Sequence, residues 1–142
     1  MATDRRADVV WQGDLMNGSG TIDPVTSGAI GPLDVSWASR SEEPNGKTSP
    51  EELIAAAHSS CFSMALSNIL GKAGTPPQQL QTSAEVDFRP GKGITQIRLS
   101  VRGSVDGIDE SEFVAAAEDA KKNCPVSQAL TGVDITLDAA LA

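Results

Sequence analysis

One stretch of this chain has almost no face to offer water. It opens at Ser49-Pro50-Glu51-Glu52, runs through Leu53-Ile-Ala-Ala-Ala-His-Ser-Ser-Cys-Phe-Ser-Met-Ala-Leu66, and continues to about Leu70. Ser49 is placed to cap a helix, Pro50 suits the first helical position, and Glu52 stands where a capping box is completed. Gly71 and Gly74 stop it. Leu53, Ile54, three alanines, Phe62, Met64, Ala65, Leu66 and Ile69 leave almost no polar face. Such a helix is buried on most sides, so the rest of the fold must be built around it. Its Ala and Ser residues allow close helix contact and leave room for a partner helix.

The flanking segments read as β. Val9-Val10-Trp11 opens a first strand, Thr21-Ile22 precedes Pro24, and Leu33, Val35 and Trp37 alternate with polar residues. After the helix, Ala84, Val86 and Phe88 alternate, Arg89 to Gly93 makes a hairpin turn, and Ile97, Leu99 and Val101 alternate back. Asp109 to Lys122 is an amphipathic helix with Phe113, Ala116, Ala117 and Ala120 inward. A short helix follows Pro125 through Leu130, and Val133, Ile135 and Leu137 form a last strand. The order predicts one α+β domain over residues 1–142 with antiparallel pairing.

Aromatic residues are 4% of the chain and Tyr is absent, so the core is thin and association with another subunit is expected. The net charge is -8 without clustered Lys or Arg, which argues against nucleic acid and against an anionic membrane surface. The N-terminal Met-Ala-Thr-Asp-Arg-Arg lacks the apolar region of a signal peptide, and no apolar stretch is expected to approach the roughly 18 residues of a membrane span. The cytoplasm is the expected compartment, and there thiols are kept reduced.

That setting bears on Cys61 and Cys124, the only two cysteines. They could form a structural bridge, stay as two inert thiols, or work as a redox couple, and a reducing compartment disfavours the bridge. Their wide separation is not a Cys-x-x-Cys motif. With His58 the only histidine, a zinc site would be short of ligands. Burial in the helix raises the pKa of Cys61, whereas Cys124 before Pro125 begins a helix, a position that favours thiolate.

Pro50 to Leu66 around Cys61, with Cys124-Pro-Val-Ser-Gln-Ala-Leu130 downstream, resembles the OsmC/Ohr family of osmotically inducible and organic hydroperoxide resistance proteins. Gly18-Ser19-Gly20, Trp37-Ala-Ser-Arg40, the Ile94 to Ile97 strand and the Val133 to Ala139 end extend the likeness over nearly the whole chain. The Ala-Ala-His form of the first motif favours the OsmC branch. The resemblance implies an α+β fold with antiparallel sheets around two central helices, in an intertwined homodimer with active sites at the interface. It implies a peroxidase of oxidative and osmotic stress defence, reducing organic hydroperoxides and H2O2. Cys61 would be the peroxidatic thiol and Cys124 the resolving one. No bound cofactor or metal is implied, and an external dithiol of lipoyl type would be the reductant.

The resemblance also gives Arg40 the role of stabilising the Cys61 thiolate and Glu51 that of orienting Arg40, with Arg89 or Arg98 as substitutes. Ten residues, about 15 Å of straight helix, separate Glu51 from Cys61. They cannot meet within one helix, so Glu51 is expected to approach Cys61 of the other subunit. The chain departs from the family's Gly-Thr-Asn-Pro with Gly46-Lys-Thr-Ser-Pro50, which alters the loop from Arg40. Phe62, Met64 and Leu66 are expected in the core, and His58 as a neutral residue packed near the interface. A non-enzymatic binding module on the same fold is the alternative function. A Cys–His hydrolase lacks an orienting acid near His58.

Overall fold

The computed structural model describes residues 2–142. Met1, the first residue of the segment considered above for a signal peptide, lies outside them. The chain forms two compact units, one ending at Leu53 and the other spanning Ile54–Ala142.

The first unit holds β1 (Val9–Gln12), β2 (Ser19–Ile22) and β3 (Leu33–Val35), an antiparallel sheet in that order. Trp37 does not continue β3. It opens a short helix, α1 (Trp37–Ser41), because Ser36 and Ser39 exchange side-chain bonds with each other's backbone in a capping box. The Ser39 hydroxyl also donates to the Thr48 carbonyl at 3.0 Å, tying α1 to the segment before the long helix despite Lys47.

The long helix, α2 (Pro50–Lys72), starts as the sequence predicts. The Glu52 amide donates to Ser49 Oγ at 3.1 Å. The Glu52 carboxylate instead accepts from the Thr48 hydroxyl at 2.8 Å, so Glu52 serves the residue ahead of the cap.

The second unit contains most of α2, then β4 (Gln79–Arg89), β5 (Gly93–Ser104), α3 (Glu110–Asn123), α4 (Pro125–Ala129) and β6 (Asp134–Leu141). Lys92 N–H bonds the Arg89 carbonyl in the expected hairpin turn, and Asp109 caps α3 by accepting from the Glu112 amide. β4 and β5 pair antiparallel, but β5 and β6 run parallel, which corrects the all-antiparallel expectation. The physical reason is the α3–α4 crossover, which carries the chain back along the sheet before β6 enters. Alternation of apolar and polar residues is the same for either direction. Ile97, Leu99 and Val101 line one face of β5, and a core forms from Phe62, Leu66, Leu70, Leu99, Val101, Phe113, Ala117, Ala120 and Cys124.

Two expectations about α2 change. Beyond Glu51 in the first turn, the buried residues form one stripe, His58, Phe62, Leu66 and Leu70, while Met64 is 72% exposed rather than in the core. Four-residue steps keep a helix's side chains on one face, and a single chain covers that face alone. No charge interrupts Leu53 to Gly71, so α2 is, by length and composition, long and apolar enough to cross a membrane. Ala, Ser and His made the stretch look shorter than it is, because they dilute its apolar character without adding charge.

Candidate active site

The middle of α2 and the corner between α3 and α4 bring the cysteines together. Cys61 lies midway along α2. Cys124 ends α3, with its N–H on the Ala120 carbonyl at 2.9 Å, and caps α4, with its carbonyl accepting from the Gln128 amide at 3.0 Å. Pro125 is tolerated because the first helical N–H has no partner in any case. The two sulfurs stand 3.1 Å apart as free thiols. Cys61 is partly exposed, and Cys124 is fully buried.

Their ionisation differs. Burial pushes the Cys61 thiol up, the bond with Cys124 adds to this, and the Val126 amide offsets it in part. Burial also opposes a Cys124 thiolate, but the adjoining Cys61 thiol and the polar groups of Ser127 and Val126 at the start of α4 outweigh it and hold Cys124 below the usual thiol range. The Ser127 and Val126 amides among them are N–H groups that a helix start leaves without an intrahelical partner. Of the two thiols, Cys124 is the one whose surroundings favour ionisation.

Arg40 and Glu51 form the other constellation, within the first unit. Arg40 sits in the last turn of α1 and Glu51 in the first turn of α2. Arg40 Nε donates to both Glu51 oxygens, at 3.0 and 3.2 Å, and Nη2 to Oε2 at 2.9 Å. Glu51 is buried and Arg40 about one-third exposed. Two bonds from a planar fork fix the guanidinium's orientation in a way a lysine could not. Both partners come from one chain. Arg98, considered as a substitute, is held by Asp87 and Glu85 on the β4–β5 sheet. Arg89 ends β4 at the hairpin.

His58 does not pair with Cys61. Its Nε2 lies 2.7 Å from Ser127 Oγ, and both residues are buried. Ser127 went unrecognised in the sequence. The available signal was its position in Cys-Pro-Val-Ser, three residues past Cys124 and so within the first turn of α4. Among the described residues, no three His, Cys, Asp or Glu side chains gather into a metal-binding group.

Comparison with known proteins identifies the family. The family model of OsmC-like proteins matches residues 43–138, which include Glu51, both cysteines, His58 and Ser127. The peroxiredoxin OsmC of Escherichia coli (strain K12) is 42% identical over 141 residues, covering 97% of this chain and 96% of the relative. An organic hydroperoxide resistance protein of Xanthomonas axonopodis pv. citri (strain 306) is 33% identical over 97 residues, 63% of this chain and 65% of the relative. The crystal structure of an organic hydroperoxide resistance protein OsmC from Legionella pneumophila superimposes with a TM-score of 0.66 at 25% identity, over 95% of this chain and 96% of that one. With a family model spanning most of its length and a relative this similar end to end, the chain belongs to the OsmC family.

Proposed function

We propose that this chain is a cysteine-based peroxidase that reduces organic hydroperoxides, and H2O2, to alcohols or water. The observation that carries the reading is the pair of free thiols 3.1 Å apart, one partly exposed and one buried. The names of the relatives, a peroxiredoxin and organic hydroperoxide resistance proteins, point the same way.

Exposure supports the roles: Cys61 is partly open to solvent and Cys124 is buried. A peroxide from solvent reaches Cys61 and not Cys124. The Cys61 thiolate attacks the terminal peroxide oxygen, the O–O bond breaks, and the alkoxide takes a proton to leave as alcohol. Cys61 is left as a sulfenic acid. The Cys124 thiolate then attacks the Cys61 sulfur. The S–S bond forms, the S–O bond breaks, and hydroxide leaves as water after taking a proton. Two electrons have passed from the thiols to the peroxide. An external dithiol, of lipoyl type, returns them in two thiol–disulfide exchanges and becomes a disulfide itself.

Because burial raises the Cys61 thiol, the first step needs a cation. Arg40, oriented by Glu51, is the group we assign to it. In the homodimer we propose, the Arg40–Glu51 pair of one copy serves the thiols of the other. The chain acts as a single functional domain in the cytoplasm.

Turnover of tert-butyl hydroperoxide with dihydrolipoamide tests the assignment. Cys61→Ser loses all turnover. Cys124→Ser completes one turnover and then accumulates over-oxidised Cys61 by mass spectrometry. Turnover at the wild-type rate in Cys61→Ser would end the proposal.

A further inference from the structure

The spacing of the two sulfurs selects what else they can hold between them. A bond from sulfur to a thiophilic centre is about 2.3 Å long, the length of a zinc–sulfur bond. With the sulfurs 3.1 Å apart, two such bonds enclose an angle of about 85° at the centre. A tetrahedral ion would need the sulfurs about 3.7 Å apart, and a linear one about 4.6 Å apart. Zinc would also lack the rest of its ligands. Among the described residues no three His, Cys, Asp or Glu side chains gather, and His58 Nε2 is already engaged with Ser127 Oγ at 2.7 Å.

A pyramidal centre with three bonds and a lone pair has angles a little above a right angle. Trivalent arsenic is such a centre, and it is soft, as thiolate sulfur is. It asks the sulfurs to part by only a few tenths of an ångström at that bond length. Rotation of the partly exposed Cys61 side chain supplies the adjustment. Cys124 stays where the Ala120 carbonyl and the Gln128 amide hold its backbone. Both ligands are therefore in place before anything binds, and closing a ring through them costs little conformational freedom.

We propose that Cys61 and Cys124 form a chelating site for trivalent arsenicals, arsenite or an organic arsenous acid, held as a cyclic dithiolate. Cys61, open to solvent, bonds first, and buried Cys124 closes the ring. Two S–H and two As–O bonds break, two As–S and two O–H bonds form, and two waters leave. No electrons change hands, and arsenic stays trivalent. Binding asks only for the two free thiols. Its consequence, that a loaded chain has no Cys61 thiolate to offer a peroxide, rests on the peroxidase reading.

Phenylarsine oxide added to the reduced full chain tests the site. Attachment through both thiols releases one water, whereas attachment through one thiol releases none. Native mass spectrometry of the wild type is expected to show a gain of one probe less one water. Glutathione, a monothiol, leaves that adduct in place, and 2,3-dimercaptopropanol removes it. Cys61→Ser and Cys124→Ser each keep one thiol and should bind at least about a hundredfold more weakly, the low end of the gain from joining two binding groups. A gain of the whole probe mass by the wild type, or an adduct that glutathione strips, overturns the chelate without recourse to either variant. So does a natively folded single-cysteine variant that binds as tightly as the wild type. Given one equivalent of tert-butyl hydroperoxide, the unloaded wild type forms the Cys61–Cys124 disulfide and the loaded chain forms none. Disulfide in the loaded chain overturns the site. An unloaded wild type that yields neither sulfenic acid nor disulfide refutes the peroxidase reading, while the mass of the adduct still decides the chelate.

Discussion

A single histidine gives this protein an acid sensitivity whose sign can be worked out. His58 is buried, and its pKa is lowered from 6.5 by burial. Below about pH 6.5 the unfolded chain binds a proton at His58 that the folded chain does not yet bind. Folding stability therefore falls as pH drops through 6.5, by up to about 1.4 kcal/mol per pH unit until the folded-state pKa is reached. His58→Gln cannot titrate. The difference between wild type and His58→Gln in urea midpoints is expected to move against the wild type between pH 7 and pH 5. A constant difference across that range rejects the buried neutral ring. At this scale the sequence told much about Cys61, Cys124, Arg40 and Glu51, because their motifs carry the family resemblance. Ser127 was illegible for a physical reason. A serine in a helix's first turn has a sufficient local explanation, and only the packing of α2 against the α3–α4 corner reveals its bond to His58.

Helices with strong local signals are legible: Ser49 and Pro50 start α2, and α3 begins at the expected place, where the structure adds a capping box between Asp109 and Glu112. The misreadings came where two structures share one pattern. Leu33, Val35 and Trp37 alternate like a strand, yet Ser36 turns the chain into α1. β6 carries the same period as an antiparallel strand, and its direction depends on the crossover. How tightly these elements pack also escapes the sequence. A Cβ at Gly103 of β5 would lie 2.5 Å from two ring carbons of Phe113 on α3, and 3.2 Å from Leu80 on β4. Phe113 is fully buried and cannot swing away. Gly103→Ala is expected to destabilise by about 1–3 kcal/mol, the usual range for overpacking a core. Adding Phe113→Leu should recover part of that loss, and urea unfolding of the two variants measures it. An additive double mutant means that the sheet and helix are not in the contact described.

For the whole molecule, the informative discrepancy is the open side of α2. The sequence predicts a helix enclosed almost all round, whereas a single chain covers one stripe and leaves Met64 exposed. In the proposed homodimer a second copy would supply what is missing, in keeping with the thin core. Burying apolar surface contributes roughly 25 cal/mol per Å², so a charge placed in such a contact opposes association. The wild-type protein is expected to sediment as a dimer of its 14.7 kDa chain. Met64→Glu should shift the population towards monomer at micromolar concentration. A monomeric wild type, or a Met64→Glu dimer of unchanged affinity, would remove α2 from the interface.

Cys124 belongs to two helices at once, the end of α3 and the cap of α4. Its backbone cannot shift without loosening the last turn of one and the first turn of the other. Closing the remaining gap between the sulfurs therefore falls to a rotation of the Cys61 side chain. The reduced and disulfide forms would then have nearly the same shape. In the proposed cycle, a reductant that must tell the oxidised form from the reduced one would gain little from surface contours; it would have to find the sulfur–sulfur bond by reacting with it.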